Sequence, residues 1–361
     1  MRRLFRVKKA IIIMYNVDVS EIMRYKEMIC DYEIVQAVSP NGWGTVGKDA
    51  GFVDGGMNIG CDIKEEIDYG IEFDTVFLLT SVTEKLIHQV YNTYLKKAVQ
   101  EKKQIICTQK VKDILLQLCK DDIVSIDENV DYKVRRMGKI DTPIIVVAGT
   151  HEYTQKFKIQ LELKRYLNSK GYKVSLVGSK DFTKLFAGHQ FPTFMFQNMS
   201  ERDKILAFQG YIRDIDKKEE PDVIIIGIPG GMMPYNEKFP GYFGITLYEV
   251  MLSIQPDAFI LSFLFEHYDK EYFQEIKNVV KYRFGVEVDC FNISPFQVDI
   301  NESDQNDSLQ YFKLSQNVVS SMIGNIVNEI PIYNISNGLD GMKMAEFITS
   351  RLEEYSEAEF V

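Results

Sequence analysis

The chain has 361 residues, 45% hydrophobic and 26% charged, a balance that fits two folded globular domains and excludes a disordered chain. Its formal net charge of -10 argues against general affinity for nucleic acid or an anionic membrane surface, because both need positive potential. No stretch approaches the roughly 20 apolar residues that cross a bilayer, and the apolar run Ala10–Met14 is too short for a secretory signal. The chain therefore reads as cytoplasmic, with no nucleic acid and no membrane among its partners.

In chain order, apolar β-type runs occur at Lys9–Tyr15, Glu33–Val38, Asp74–Thr80, Gln104–Thr108 and Ile123–Ile126. Between the third and fourth, Ile87, Val90, Tyr91, Tyr94, Leu95 and Ala98 recur at helical spacing and predict one apolar face. A short helix is predicted at Val111–Cys119. The polar stretch Asp127–Asp141 then marks a boundary, which divides the chain into an N-terminal domain, 1–138, and a C-terminal domain, 139–361.

The second block restarts with the continuous apolar run Pro143–Ala148, of the kind buried on both faces of a parallel sheet. Further strands are predicted at Lys173–Gly178, Asp222–Ile228, Asp257–Phe265, Val286–Ile293 and Ile330–Ile335. Helices fit at Phe157–Ser169, Glu201–Asp216, Thr246–Ile254, Glu271–Phe284, Leu314–Val327 and Gly341–Glu354. Asp299–Asp307 is acidic and polar and predicts a surface loop. Alternating strands and helices give an α/β fold: a Rossmann-like N-terminal domain, then a doubly wound, mainly parallel sheet with helices on both faces.

The most informative segment runs from Ile144 through Gly149-Thr150-His151-Glu152-Tyr153-Thr154-Gln155-Lys156 into Leu163: a strand, a bend beginning Gly-Thr, and an amphipathic helix. Backbone N–H groups in a first helical turn lack intrahelical partners, and with the helix dipole they attract anions. A working phosphate loop also needs a second glycine, a lysine that reaches the outer oxygens, and a Ser or Thr for Mg²⁺. Here Lys156 stands seven positions after Gly149, so the loop resembles the G-T-x-x-x-x-G-K-[ST] variant of P-loop NTPases of the dethiobiotin synthetase type, which implies a P-loop-NTPase-like C-terminal domain. Gln155 replaces the second glycine, and Phe157 replaces the hydroxyl. The Gln155 side chain is expected to crowd the loop. Three readings stay open: an intact MgATP-hydrolysing site, a loop that binds a nucleotide or other phosphate-bearing ligand without efficient hydrolysis, and a purely structural turn in which His151, Glu152 and Lys156 are solvated.

Two more glycine-rich segments bear on the site. Pro229-Gly230-Gly231 follows the strand from Asp222 and should lie beside the Gly149 loop if the two strands are neighbours; a plain chain reversal is the alternative. That strand ends in Gly-Ile-Pro, with Asp222 at the wrong end for a magnesium ligand. Gly42-Trp43-Gly44-Thr45-Val46-Gly47 matches G-x-G-x-x-G, but further glycines follow too closely for a helix to open there. His151 is the histidine placed at a predicted sheet-edge loop, beside Glu152, where proton transfer could occur. Leu185–Pro192, which contains His189, follows a strand ending at Gly178-Ser179 and could approach the same face. The cysteines Cys30, Cys61, Cys107, Cys119 and Cys290 show no C-x-x-C spacing, so reduced thiols and no metal site are predicted.

On Val46-Gly47-Lys48-Asp49-Ala50-Gly51 and on Gly149-Thr150 through Leu163, the chain resembles a family of two-domain proteins, once of unknown function, that includes D-amino-acid N-acyltransferases. Those carry an intact Gly-Lys pair in the loop; this chain has Gln155-Lys156. The tract Val147–Ser179 and the Gly227–Gly244 loop look closer still to clostridial peptide maturation system proteins. That resemblance implies an accessory or binding role in maturing a ribosomally made, bacteriocin-like peptide, with the precursor peptide or a radical-SAM maturase as partner. The other reading is a nucleotide-dependent or acyl-transferring enzyme acting on a small amino-acid or peptide substrate. The implied ligand-binding residues are Gly149, Thr150, His151, Glu152, Gln155, Lys156, Gly230 and Gly231. A homodimer is plausible on an apolar strand edge or helix face.

Overall fold

The computed structural model describes residues 6–80, 83–119, 122–128, 130–241, 243–326 and 328–358. The chain divides into two compact units, Met1–Glu128 with Asp181–Ala187, and Asn129–Lys180 with Gly188–Val361.

The first unit contains β1 (Lys8–Ile13), α1 (Ser20–Arg24), β2 (Tyr32–Val38), β3 (Thr75–Leu78), α2 (Glu84–Val90), α3 (Lys96–Gln100), β4 (Gln104–Cys107), α4 (Gln109–Leu118) and β5 (Ile123–Ser125). Its sheet has the order β2-β1-β3-β4-β5 with every pair parallel. A π-helical turn, Tyr91–Leu95, joins α2 to α3. The apolar stripe expected there therefore forms as one continuous face, with Ile87, Val90, Tyr94, Leu95 and Ala98 buried in the core and Tyr91 half-buried.

Among the described residues no α-helix lies between β2 and β3. Gly42, Gly44 and Gly47 take positive φ there with open space around them. The Asp49 carboxylate accepts the N–H groups of Gly51, Ile59, Gly60 and Cys61. These bonds hold its pKa below the usual carboxylate value against the opposing effect of burial, which is the largest single influence. The G-x-G-x-x-G segment thus opens a long loop, whose later turns at 51 and 59–61 are pinned by Asp49, without the helix that would receive a pyrophosphate.

The second unit contains β6 (Ile144–Gly149), α5 (Lys156–Ser169), β7 (Val174–Gly178), β8 (His189–Gln190), α6 (Glu201–Glu219), β9 (Val223–Gly227), α7 (Ile245–Ser253), β10 (Ala258–Phe263), α8 (Lys270–Phe284), β11 (Cys290–Ile293), β12 (Phe296–Asp299), α9 (Ile300–Asn306), β13 (Gln310–Lys313), α10 (Gln316–Gly324), β14 (Ile332–Tyr333) and α11 (Asp340–Ala358). The predicted helix at 314–327 extends to Val327, which lies outside the described residues. Seven strands form one parallel sheet in the order β14-β11-β10-β6-β9-β7-β8.

β6 is central because its whole length, IIVVAG, is apolar and tolerates burial on both faces; all six residues are buried. Ile144, Val146 and Ala148 face a core shared with Phe208 and Ile212 of α6, Leu247 and Val250 of α7, and Phe273, Ile276 and Val280 of α8. Strand alternation turns Ile145 and Val147 to the other face, where α5 and α11 pack together. Burying each such side chain contributes about 1.5–3 kcal/mol, so this strand anchors the unit.

The acidic stretch 299–307 is not the surface loop expected from its composition. Asp299 ends β12 and caps α9 by accepting from the Glu302 N–H, and β12 pairs antiparallel with β13. Its acids are helix-capping and solvent-facing groups of a small ordered arm beyond β11.

Candidate functional site

The loop between β6 and α5 sits where the chain turns from the central strand to a helix, beyond the carboxyl ends of the strands. Its neighbour is the loop after β9, because β9 pairs directly with β6. The Met232 N–H donates to the Gly149 carbonyl at 2.9 Å, and the Met233 N–H to the Thr150 carbonyl at 3.3 Å. The structure thereby brings Gly230 and Gly231 against Gly149, Thr150 and His151. A Cβ at Gly231 would stand 2.7 Å from the Thr150 oxygen and 2.8 Å from the His151 Cα, so only glycine allows this approach. A Cβ at Gly149 would meet Thr154 Oγ1 at 2.1 Å.

Tyr153 and Gln155 both take left-handed backbone conformations, with φ of 56° and 62°. Gln155 therefore adopts the conformation for which a phosphate loop ordinarily uses glycine. Its side chain does not crowd the loop, contrary to the expectation from its size. The amide turns aside to the buried Ser336 hydroxyl, with Nε2 donating to Oγ at 2.8 Å and Oε1 accepting from it at 3.0 Å.

The loop interior is occupied by Lys156. Its ammonium donates to the carbonyls of His151 at 2.9 Å and Gly230 at 2.8 Å, and the residue is 8% exposed. Burial brings its pKa down to about 8; the Glu152 charge opposes this and Lys180 adds to it. The N-terminus of α5 carries no side-chain cap and no acid in its first turn, yet holds the buried cations Lys156 and Lys158. Lys158 Nζ reaches the Ser336 hydroxyl at 3.4 Å. Cations oppose the positive end of a helix dipole, so this end of α5 is arranged to receive negative charge.

His151 is half-buried, and its Nδ1 lies 3.1 Å from Thr150 Oγ1. Burial takes its pKa down to about 4; the Pro234 carbonyl pulls the other way and the Lys156 charge adds to the lowering. The ring is consequently neutral near pH 7. Glu152 is exposed beside it. Sequence reasoning missed the aromatic rim: His151 meets Tyr235 with ring centroids 5.4 Å apart, and Tyr153 meets Tyr311 at 4.4 Å and Phe296 at 6.2 Å. Tyr311 and Phe296 come from the β12–β13 arm. No signal in the loop sequence points to that arm, because the partners lie more than a hundred positions away.

Two features depart from magnesium chemistry. Phe157, at the position of the usual hydroxyl, is 2% exposed and built into the core. Asp222 accepts from the Lys173 N–H at 2.7 Å at the start of β9, the opposite end of the sheet. Among the described residues no three His, Cys, Asp or Glu side chains gather into a metal-ligating group.

His189 does not join His151: its Nε2 lies 2.6 Å from Glu219 Oε1 at the end of α6. An open groove of about 550 Å³, bordered by Asp289, Pro331 and Arg351, lies at the strand starts, away from the loop. Two ion pairs lie along it, Lys281 with Glu287 at 2.6 Å and Arg351 with Asp289 at 3.5 Å. No helix of the described residues is long and apolar enough to cross a membrane.

No family model matches this chain, and no curated protein does. Among solved structures it is similar to the crystal structure of a DUF1611 family protein from Anabaena variabilis ATCC 29413, with a TM-score of 0.60 at 11% sequence identity. The likeness covers 95% of this chain and 99% of that one. At such identity it is a likeness of fold.

Proposed function

We propose that the second unit binds a phosphate-bearing anion, a nucleotide or another phosphorylated small molecule, at the loop 149–156 without building a magnesium-dependent hydrolytic site. One observation carries this reading: a buried lysine lies inside a loop with left-handed residues at an uncapped helix N-terminus, its ammonium hydrogen-bonded to two backbone carbonyls. Those carbonyls keep Lys156 in place until an anion offers a stronger charge-assisted bond. The same geometry favours reading the second unit as P-loop-like, and the parallel strand order β2-β1-β3-β4-β5 favours reading the first as Rossmann-like. Phe157 and the missing acid at the end of β9 weigh against hydrolysis.

The test is calorimetric titration with inorganic phosphate, ADP and ATP, each with and without Mg²⁺. Saturable binding that is indifferent to Mg²⁺ and lost in Lys156→Ala is the expected result. No binding by any of them would remove the proposal, and Mg²⁺-dependent turnover would replace it with the nucleotide-dependent enzyme. An accessory role in maturing a ribosomally made peptide is the biological setting we propose, supported by the sequence resemblance. Co-purification with a precursor peptide or a radical-SAM maturase tests that setting separately.

A further inference from the structure

The loop 149–156 carries two non-glycine residues in left-handed conformation, Tyr153 and Gln155, on either side of Thr154. Such a backbone persists only where its surroundings over-determine it. The surroundings that hold it belong to strands remote in sequence. The Ser262 hydroxyl, at the end of β10, donates to the Thr154 carbonyl. The carbonyl of the same residue accepts the Thr150 N–H at 2.8 Å and lies 3.5 Å from Thr150 Oγ1. One serine therefore holds both ends of the loop.

Ser262 is in turn held by Asn292 of β11, whose Nδ2 donates to Ser262 Oγ at 2.8 Å. The Asn292 Oδ1 accepts the Ile335 N–H at 3.1 Å, next to the Ser336 that receives the Gln155 amide. Ser262, Asn292 and Thr154 are wholly buried and Ser336 is 1% exposed, so water does not compete for these bonds. The relay runs from the segment after β14 through β11 and β10 into the loop.

We propose that Ser262 and Asn292 are positioning residues, which fix the loop in its anion-receiving shape before any ligand arrives. The gain is pre-organisation: a loop already ordered loses less entropy on binding. A flexible glycine at 155 would not need such support; a left-handed Gln155 does. The affinity part of this inference rests on the anion-binding reading, and the loop-order part does not.

The experiment compares wild type with Ser262→Ala, Ser262→Thr, Asn292→Asp and the control Ser294→Ala, which removes a buried hydroxyl that does not touch the loop. The first readout is amide hydrogen exchange over residues 150–157 in ligand-free protein. Ser262→Ala and Asn292→Asp are expected to speed exchange there at least tenfold, while Ser262→Thr and Ser294→Ala leave it unchanged. The second readout is affinity for inorganic phosphate, expected to fall about tenfold in Ser262→Ala and to recover in Ser262→Thr. Equal exchange in wild type and Ser262→Ala, or equal acceleration by Ser294→Ala, overturns the inference. If wild type binds no phosphate while the exchange pattern holds, only the anion-binding reading falls.

Discussion

Replacing Lys156 by methionine separates the cost of burying this charge from its use. Burial lowers its pKa from 10.5 to about 8, which makes the ammonium about 3 kcal/mol less favourable in the folded chain than in the unfolded one. Below about pH 8 the amine is charged in both states, so the penalty is complete. As pH rises from about 8 to 10.5 the folded amine gives up its proton first, the unfolded state holds more protons, and stability rises. Between pH 7 and 9.5 the wild type should therefore gain about 2 kcal/mol relative to Lys156→Met. At pH 7 the variant escapes the 3 kcal/mol penalty but leaves the His151 and Gly230 carbonyls unpaired, at roughly 1–3 kcal/mol each. The two effects nearly offset, so it should fold while phosphate binding falls at least a hundredfold. Urea unfolding of both proteins at the two pH values, with phosphate titrations alongside, measures all of this. A stability difference that stays flat with pH, or moves the other way, would refute the account of Lys156 as a desolvated ammonium.

Phosphate affinity of the wild type should fall as pH rises through about 8, because the deprotonated amine attracts no anion; titrations from pH 6.5 to 9.5 show whether it does. Phe157→Ser, which restores the usual hydroxyl position, should cost about 3–5 kcal/mol of stability by opening a cavity and should confer no Mg²⁺-dependent hydrolysis. Thermal unfolding and a phosphate-release assay read the two halves of that statement. Gln155→Gly should change stability by less than about 1 kcal/mol, since relief of the left-handed strain is offset by loss of the Ser336 bonds. It should leave phosphate binding intact in the same titration.

Much of the α/β order could be read from the chain because it rests on local pattern. The run Pro143–Ala148 has no polar residue to expose, so burial between layers follows directly, and the helix from Lys156 to Ser169 shows its inner face at Ile159, Leu163 and Leu167. The 299–307 segment was misleading because capping aspartates and solvated acids have the same composition in a short helix as in a loop. His189 was equally opaque. Its partner, Glu219, lies thirty positions away at the end of α6, where Ser175 of β7, the strand beside β8, also donates to the carboxylate.

The amino-acid sequence alone determined the strand, glycine bend and helix around residues 144–169, since apolar periodicity and glycine placement act over a few residues. It also determined that a phenyl ring, Phe157, follows Lys156 where a phosphate loop carries its hydroxyl. Only the tertiary structure decided that Gln155 would take a glycine's conformation, that its amide would turn to Ser336, and that Lys156 would enter the loop. Those outcomes depend on groups supplied by the loop after β9, by β10 and β11 and by the segment after β14, and such long-range partners leave no periodic trace in the chain that needs them.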